Sequence, residues 1–169
     1  SIVKTSQMQL FALPDLPMVR PGDDLAALIG DSLARMDKTL QDGDILVLAQ
    51  KIVSKANDRI FDLRDVTPSA RAEELAVEVD KDPRVVELIL GEAVEVVGKR
   101  PGVLVVAHRL GVVLANAGID ASNVEQEGGS EHVLLLPEDP DADCRQLRRE
   151  LERRHGVEVA VIINDSVGR

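Results

Sequence analysis

The sequence predicts an α+β fold: a mixed sheet with hairpins and packed helices, in one domain over residues 1–169. Three observations predict it. Apolar residues recur at helical spacing in several segments, then give way to strand-like runs. Val103 to Ala107 and Val112 to Ala115 flank a short turn containing Gly111, the pattern of a hairpin. Hairpins mixed with helices argue against a regular βαβ alternation, and neither GxGxxG nor GxxxxGK[ST] occurs, against a Rossmann or P-loop reading. A chain of 169 residues suits one domain or two small ones.

The elements follow in order. Two Leu-Pro pairs, Leu13-Pro14 and Leu16-Pro17, make residues 11–17 irregular or edge chain, because proline biases its predecessor to extended geometry. Pro21-Gly22 turns the chain and Asp23 can cap a helix. Leu25, Leu28, Ile29, Leu33, Met36 and Leu40 then mark an amphipathic helix to about residue 40. After the turn Asp42-Gly43-Asp44, the apolar run Ile45 to Ala49 reads as a strand buried on both faces. Residues 51–55 alternate as a strand or its exit loop. Thr67-Pro68 opens a helix to about Val79, and Asp82-Pro83 opens another to about Val97. Val86, Ile89, Leu90, Ala93 and Val97 share a face of that second helix. Beyond the hairpin, residues 116–123 form turns and Val133 to Leu136 a strand. A charged helix follows the rigid loop 137–141 and stops at Gly156. Val159 to Ile163 is a last buried strand, ending in Asn164-Asp165-Ser166.

Composition excludes several classes. The 20 basic and 30 acidic residues give a formal charge of −10, a poor footprint for nucleic acid. With two Phe and no Trp or Tyr, stacking platforms for single strands are nearly absent. No apolar run approaches the roughly 20 residues of a membrane helix, and no secretory signal is visible. The single cysteine, Cys144, cannot staple the chain and fits a reducing cytoplasm. A nucleotide remains possible, because one basic pocket suffices for it.

Chemistry is expected at strand ends, where a rigid scaffold presents polar groups to open space. Asp120 lies in a tight polar loop after a strand, and Asp165 at the carboxyl end of the last strand. With the Ser166 hydroxyl they offer hard oxygen ligands for Mg²⁺ or Mn²⁺. The alternative is that both aspartates cap turns or helices. Lys51, Lys55 and Arg59 cluster at the exit of the Ile45–Ala49 strand and either neutralise nucleotide phosphates or solvate a loop. Glu138, Asp139, Asp141 and Asp143 read better as helix-start acids than as a metal cluster. Cys144 reads as a half-buried helix residue, not a nucleophile. The three histidines have no metal spacing, and the arginines 145–154 read as an exposed face paired with Glu150 and Glu152.

Six stretches in this order carry a resemblance: Leu16 to Leu25, Asp42 to Val47, Val53 to Ala56, Asn116 to Val124, Leu134 to Asp141 and Val161 to Arg169. Together they resemble the coenzyme F-420 gamma-glutamyl ligase family across essentially the whole chain, Asn116 to Val124 being the most specific. The resemblance implies a GTP- and divalent-metal-dependent ligase that adds L-glutamate to coenzyme F-420-0, a phospholactyl deazaflavin, through gamma-linked amides. It implies that phosphoryl transfer from GTP gives an acyl phosphate, which the glutamate amine then attacks. By position, Asp120 and Asp165 match metal-binding aspartates, and Ser166 matches a metal-ligand position that is usually Thr. Leu16, Pro17, Met18 and Val19, with Lys55 and Asn123, match nucleotide-contacting positions. Gln50 and Lys51 fall on a further nucleotide-contacting pair whose residue types vary. The family implies a homodimer. Its chains continue beyond the motif ending at Arg169 with further metal and phosphate contacts, so this chain is expected to be the N-terminal portion, with little or no ligase activity by itself. A catalytically silent nucleotide- and metal-binding module and a plain interaction domain are the alternatives.

Overall fold

The computed structural model of the protein describes residues 6–122, 124 and 129–166. Among these, five α-helices alternate with seven strands grouped in three small sheets. Strands β1 (Ile45–Ala49) and β7 (Ala160–Asn164) form a parallel pair, in register from Ile45 opposite Ala160 to Ala49 opposite Asn164. Strands β2 (Ile60–Asp62) and β6 (His132–Leu134) pair antiparallel. Strands β3 (Ala93–Arg100), β4 (Val103–His108) and β5 (Val113–Ala115) form an antiparallel meander. The mixture of helices with parallel and antiparallel pairs is the expected α+β class.

Two hydrophobic clusters organise these pieces. In one, helices α1 (Leu25–Arg35), α2 (Gln50–Ala56) and α5 (Pro140–His155) pack around β1 and β7 through Ile29, Leu48, Val53, Leu147, Leu151 and Val159. In the other, α3 (Ala70–Val79) and α4 (Pro83–Glu92) cover the inner face of β4 through Val79, Val86, Ile89, Leu104 and Val106. Local chemistry starts each long helix. The side chains of Asp24, Ser69, Asp82 and Asp139 accept N-terminal N–H groups of α1, α3, α4 and α5, and Pro83 and Pro140 open the latter two. Gly156, at φ +66°, ends α5 as expected.

Several expectations are corrected. The first helix stops at Arg35, not near residue 40. Residues 51–55 are helical, within α2: Val53 and the adjacent Ser54 are both buried, which an alternating strand does not allow. The helix opened by Pro83 stops at Glu92, not Val97. Ala93 to Val97 enter β3, where Ala93, Glu95 and Val96 pair with β4 in a ladder that overrides their helical spacing, Val94 and Val97 falling at its register shifts. The capping residue of α3 is Ser69 in place of Thr67. Strand β1 is buried on one face alone: Leu48 is covered while Ile45 and Val47 stay 62% and 55% exposed. Strand β2 had no apolar run to announce it.

Candidate functional site

Parallel pairing of β1 and β7 brings their carboxyl ends to one edge. Gln50 and Lys51 follow directly on Ala49, and Asp165 and Ser166 follow on Asn164, its register partner. Asp120 reaches this edge through Lys51. Its Oδ2 accepts from the Lys51 ammonium at 2.5 Å. Its Oδ1 accepts from the Ser122 hydroxyl at 2.6 Å and the Ser122 N–H at 3.1 Å. Burial favours the neutral acid, but the Lys51 and Ser122 hydrogen bonds outweigh it and hold the Asp120 carboxyl down at about 2. Asp120 is therefore ionised at any ordinary pH.

The backbone around Asp120 is tightly held. Its N–H and C=O exchange hydrogen bonds with Leu134 at 2.9 and 3.1 Å. Upstream, Asn116, Ala117 and Gly118 take φ of +52°, +54° and +67° in succession. This left-handed run reverses the chain at the end of β5 and is pinned by the Asn116 side-chain carbonyl, which accepts the Leu104 N–H at 2.9 Å. Gly118 is confined as well as bent, since a Cβ there would lie 2.9 Å from side-chain carbons of Leu114 and Leu136. A side chain there is strained on both counts.

The nucleotide-matching residues gather on the adjoining flank of α2. The Lys55 ammonium lies 3.9 Å from the Met18 sulfur, and the Gly22 N–H donates to the Ala56 carbonyl at 2.9 Å. These contacts hold the Leu16–Val19 segment against α2. Within it Val19 is buried, Leu16 half-buried, and Pro17 and Met18 exposed. Lys51 and Lys55 are four residues apart and share one helix face. The Gln50 side chain turns inward instead: it is 7% exposed and donates to the Ser54 hydroxyl. Asp165 and Ser166 are exposed, with the Asp165 carboxylate accepting the Ser166 N–H at 2.8 Å. Asn123 lies outside the described residues.

Other candidates serve structure. The Arg59 guanidinium is half of a nearly buried ion pair with Glu92 at 2.9 Å, the two side chains 13% and 12% exposed, so it solvates no loop. Arg109 joins the same carboxylate at 2.8 Å. This knot carried no signal in the sequence, because its members are scattered over residues 59–109. His108, wholly buried below it, accepts the Leu110 N–H on Nδ1, and burial pushes its pKa down against the opposing pull of Glu92. Asp139 caps α5 and Asp141 and Asp143 lie in its first turn. Burial pushes the Cys144 thiol up, as suits a half-buried helix residue.

Asp120, Asp165 and Ser166 supply hard oxygen donors of the kind Mg²⁺ and Mn²⁺ prefer, and Asp120 is held charged. Among the described residues no three His, Cys, Asp or Glu side chains group as a metal cage. Two carboxylates with open positions suit a cation that keeps waters and phosphate oxygens, so the donor set fits.

Fold and site thus define an α+β protein with an acidic, lysine-edged strand-end site. The profile described as F420-0:Gamma-glutamyl ligase matches residues 15–169, and the chain belongs to that family. It is 46% identical to a coenzyme F420:L-glutamate ligase of Methanopyrus kandleri, over 89% of this chain and 56% of the relative. It is 41% identical to the protein of that name from Methanothermobacter thermautotrophicus, over 96% of this chain and 63% of the relative. The Archaeoglobus fulgidus protein of the same name is 42% identical over 96% and 61%. The chain therefore spans about three-fifths of the length of these relatives. No helix among the described residues is long and apolar enough to cross a membrane.

Proposed function

We propose that this chain carries the nucleotide- and metal-binding part of a GTP-dependent gamma-glutamyl ligase acting on coenzyme F-420-0 and L-glutamate. Family membership supports the ligation. The observation that carries the site is Lys51 on Asp120 at 2.5 Å, at the edge where Asp165 and Ser166 emerge. In this reading Asp120, Asp165 and the Ser166 hydroxyl hold Mg²⁺ or Mn²⁺, which when bound neutralises phosphate charge. The Leu16–Val19 segment and Lys55 hold the nucleotide, with Gln50, Lys51 and Asn123 in the same set. Amide formation needs the acid's oxygen turned into a leaving group. An acyl phosphate made from GTP provides it, and the glutamate amine displaces phosphate from it. The protein's share is positioning and electrostatics. The working unit in this reading is a homodimer in the cytoplasm.

Calorimetric titration of GTP into the chain, with and without Mn²⁺, tests the site. We expect metal-dependent binding that weakens at least about tenfold in Asp120→Asn, the loss of one charged ligand. Binding that ignores both the metal and this substitution overturns the assignment. GTP-dependent incorporation of glutamate into coenzyme F-420-0 tests the reaction. Binding without incorporation would make the chain a silent module.

A further inference from the structure

The Lys51–Asp120 pair places a cation on the carboxylate oxygen that a metal would use. Oδ1 of Asp120 already accepts two hydrogen bonds from Ser122, so Oδ2 is the more open oxygen, and the Lys51 ammonium sits on it at 2.5 Å. The Lys51 side chain is 59% exposed on a flexible four-carbon stem, while Asp120 is 28% exposed and fixed by its backbone bonds to Leu134. The mobile partner of the pair is therefore the lysine. An ammonium and a divalent cation repel each other and cannot share one carboxylate oxygen at such distances. If Lys51 leaves Asp120, its helix face offers Lys55 as neighbour, and two ammonium groups four residues apart repel each other. A polyphosphate beside that face relieves the repulsion by accepting from both.

We propose that Lys51 is an exchangeable counter-ion: it holds the Asp120 carboxylate until a divalent cation takes Oδ2, and then turns to the nucleotide phosphates. This inference rests on the metal and nucleotide reading above and adds a coupling to it. Metal binding frees the lysine for the nucleotide, and the nucleotide, by drawing the lysine away, clears Asp120 for the metal. Linkage requires that the two effects be equal.

The test is titration of Mn²⁺ alone, followed by electron paramagnetic resonance, and of GTP at saturating Mn²⁺, by calorimetry, into the parent chain, Lys51→Met and Lys51→Arg. Lys51 is exposed, so both variants should fold, which circular dichroism checks. We expect Lys51→Met to bind Mn²⁺ about fivefold tighter or more, and GTP more weakly by a similar factor, with Lys51→Arg close to the parent. Opposite signs are the mark of exchange, because a merely structural lysine would move both affinities the same way or neither. If the parent binds Mn²⁺ and Lys51→Met binds it equally or less well, exchange is overturned while the metal reading stands. If neither chain binds Mn²⁺, the metal reading falls and the inference with it.

Discussion

His108 shows how one residue couples folding to pH. Its side chain is fully buried, with Glu92 3.4 Å from Nε2 but out of hydrogen-bonding alignment, and Arg109 and Arg59 beyond it. Burial is the largest influence and the two arginines add to it, so the folded-state pKa lies below the ordinary 6.5 despite the attraction of Glu92. The unfolded chain then takes up a proton at a pH where the folded chain does not. Stability is complete above about 6.5 and falls as the pH drops from there toward the depressed folded value. Thermal melts should show a lower midpoint at pH 5 than at pH 7. His108→Asn, whose carbonyl oxygen can still take the Leu110 N–H, should be less stable overall but lose this part of the slope. An unchanged slope would mean that His108 binds its proton equally well in the folded and unfolded chain.

At the scale of elements, the left-handed run at residues 116–118 decides where Asp120 points. Gly118→Ala meets two costs, a positive φ and a Cβ 2.9 Å from Leu114 and Leu136 carbons. Denaturant titration should show a loss of about 1–3 kcal/mol. The amide cross-peaks of Asp120 and Leu134 should shift with it, since those two residues share a reciprocal backbone pair. A loss under about 0.5 kcal/mol with unmoved peaks would mean that the loop relaxes freely. This run also marks what the sequence could disclose. Asp120 was legible because a polar loop after an apolar strand is a local pattern, and α5 was legible from Pro140 to Gly156 for the same reason. The helical state of Lys51 to Lys55 was not, because the burial of Val53 is set by distant neighbours such as Leu147 and Leu151 of α5. The end of α4 was hidden likewise, since Val106 of β4, which pairs with Val96, lies ten residues further on. The ion pair of Lys51 with Asp120 joins residues that local spacing cannot connect.

At the scale of the whole molecule, Arg59 and Glu92 tie the two hydrophobic clusters together. Arg59 leaves the end of α2, which packs in the α1–α5 cluster, and Glu92 ends α4, which packs in the other. The Arg59 carbonyl accepts the Leu135 N–H at 3.0 Å, and its Nε donates to the Leu136 carbonyl at 2.9 Å. Arg109, on the far side of Glu92, donates to the carbonyls of Glu138 and Pro137 at 2.6 and 3.3 Å. One carboxylate therefore steadies two arginines, and these clamp residues 135–138 between β6 and α5. Truncating it leaves the nearly buried Arg59 guanidinium without its carboxylate, the situation in which breaking a pair costs about 3–5 kcal/mol, and removes the partner of the more exposed Arg109 as well. Glu92→Ala should lose stability on that order in urea titration. Glu92→Gln, which keeps the shape and an acceptor, should lose less. The reach of the clamp is the sharper question. Leu134, next to the clamped segment, is the backbone partner of Asp120, so loosening residues 135–138 should speed amide exchange at Leu134 and Asp120 in Glu92→Ala. Exchange faster at Leu135 and Leu136 but unaltered at Asp120 would show that the clamp supports the join between the clusters and leaves the strand-end site to hold itself.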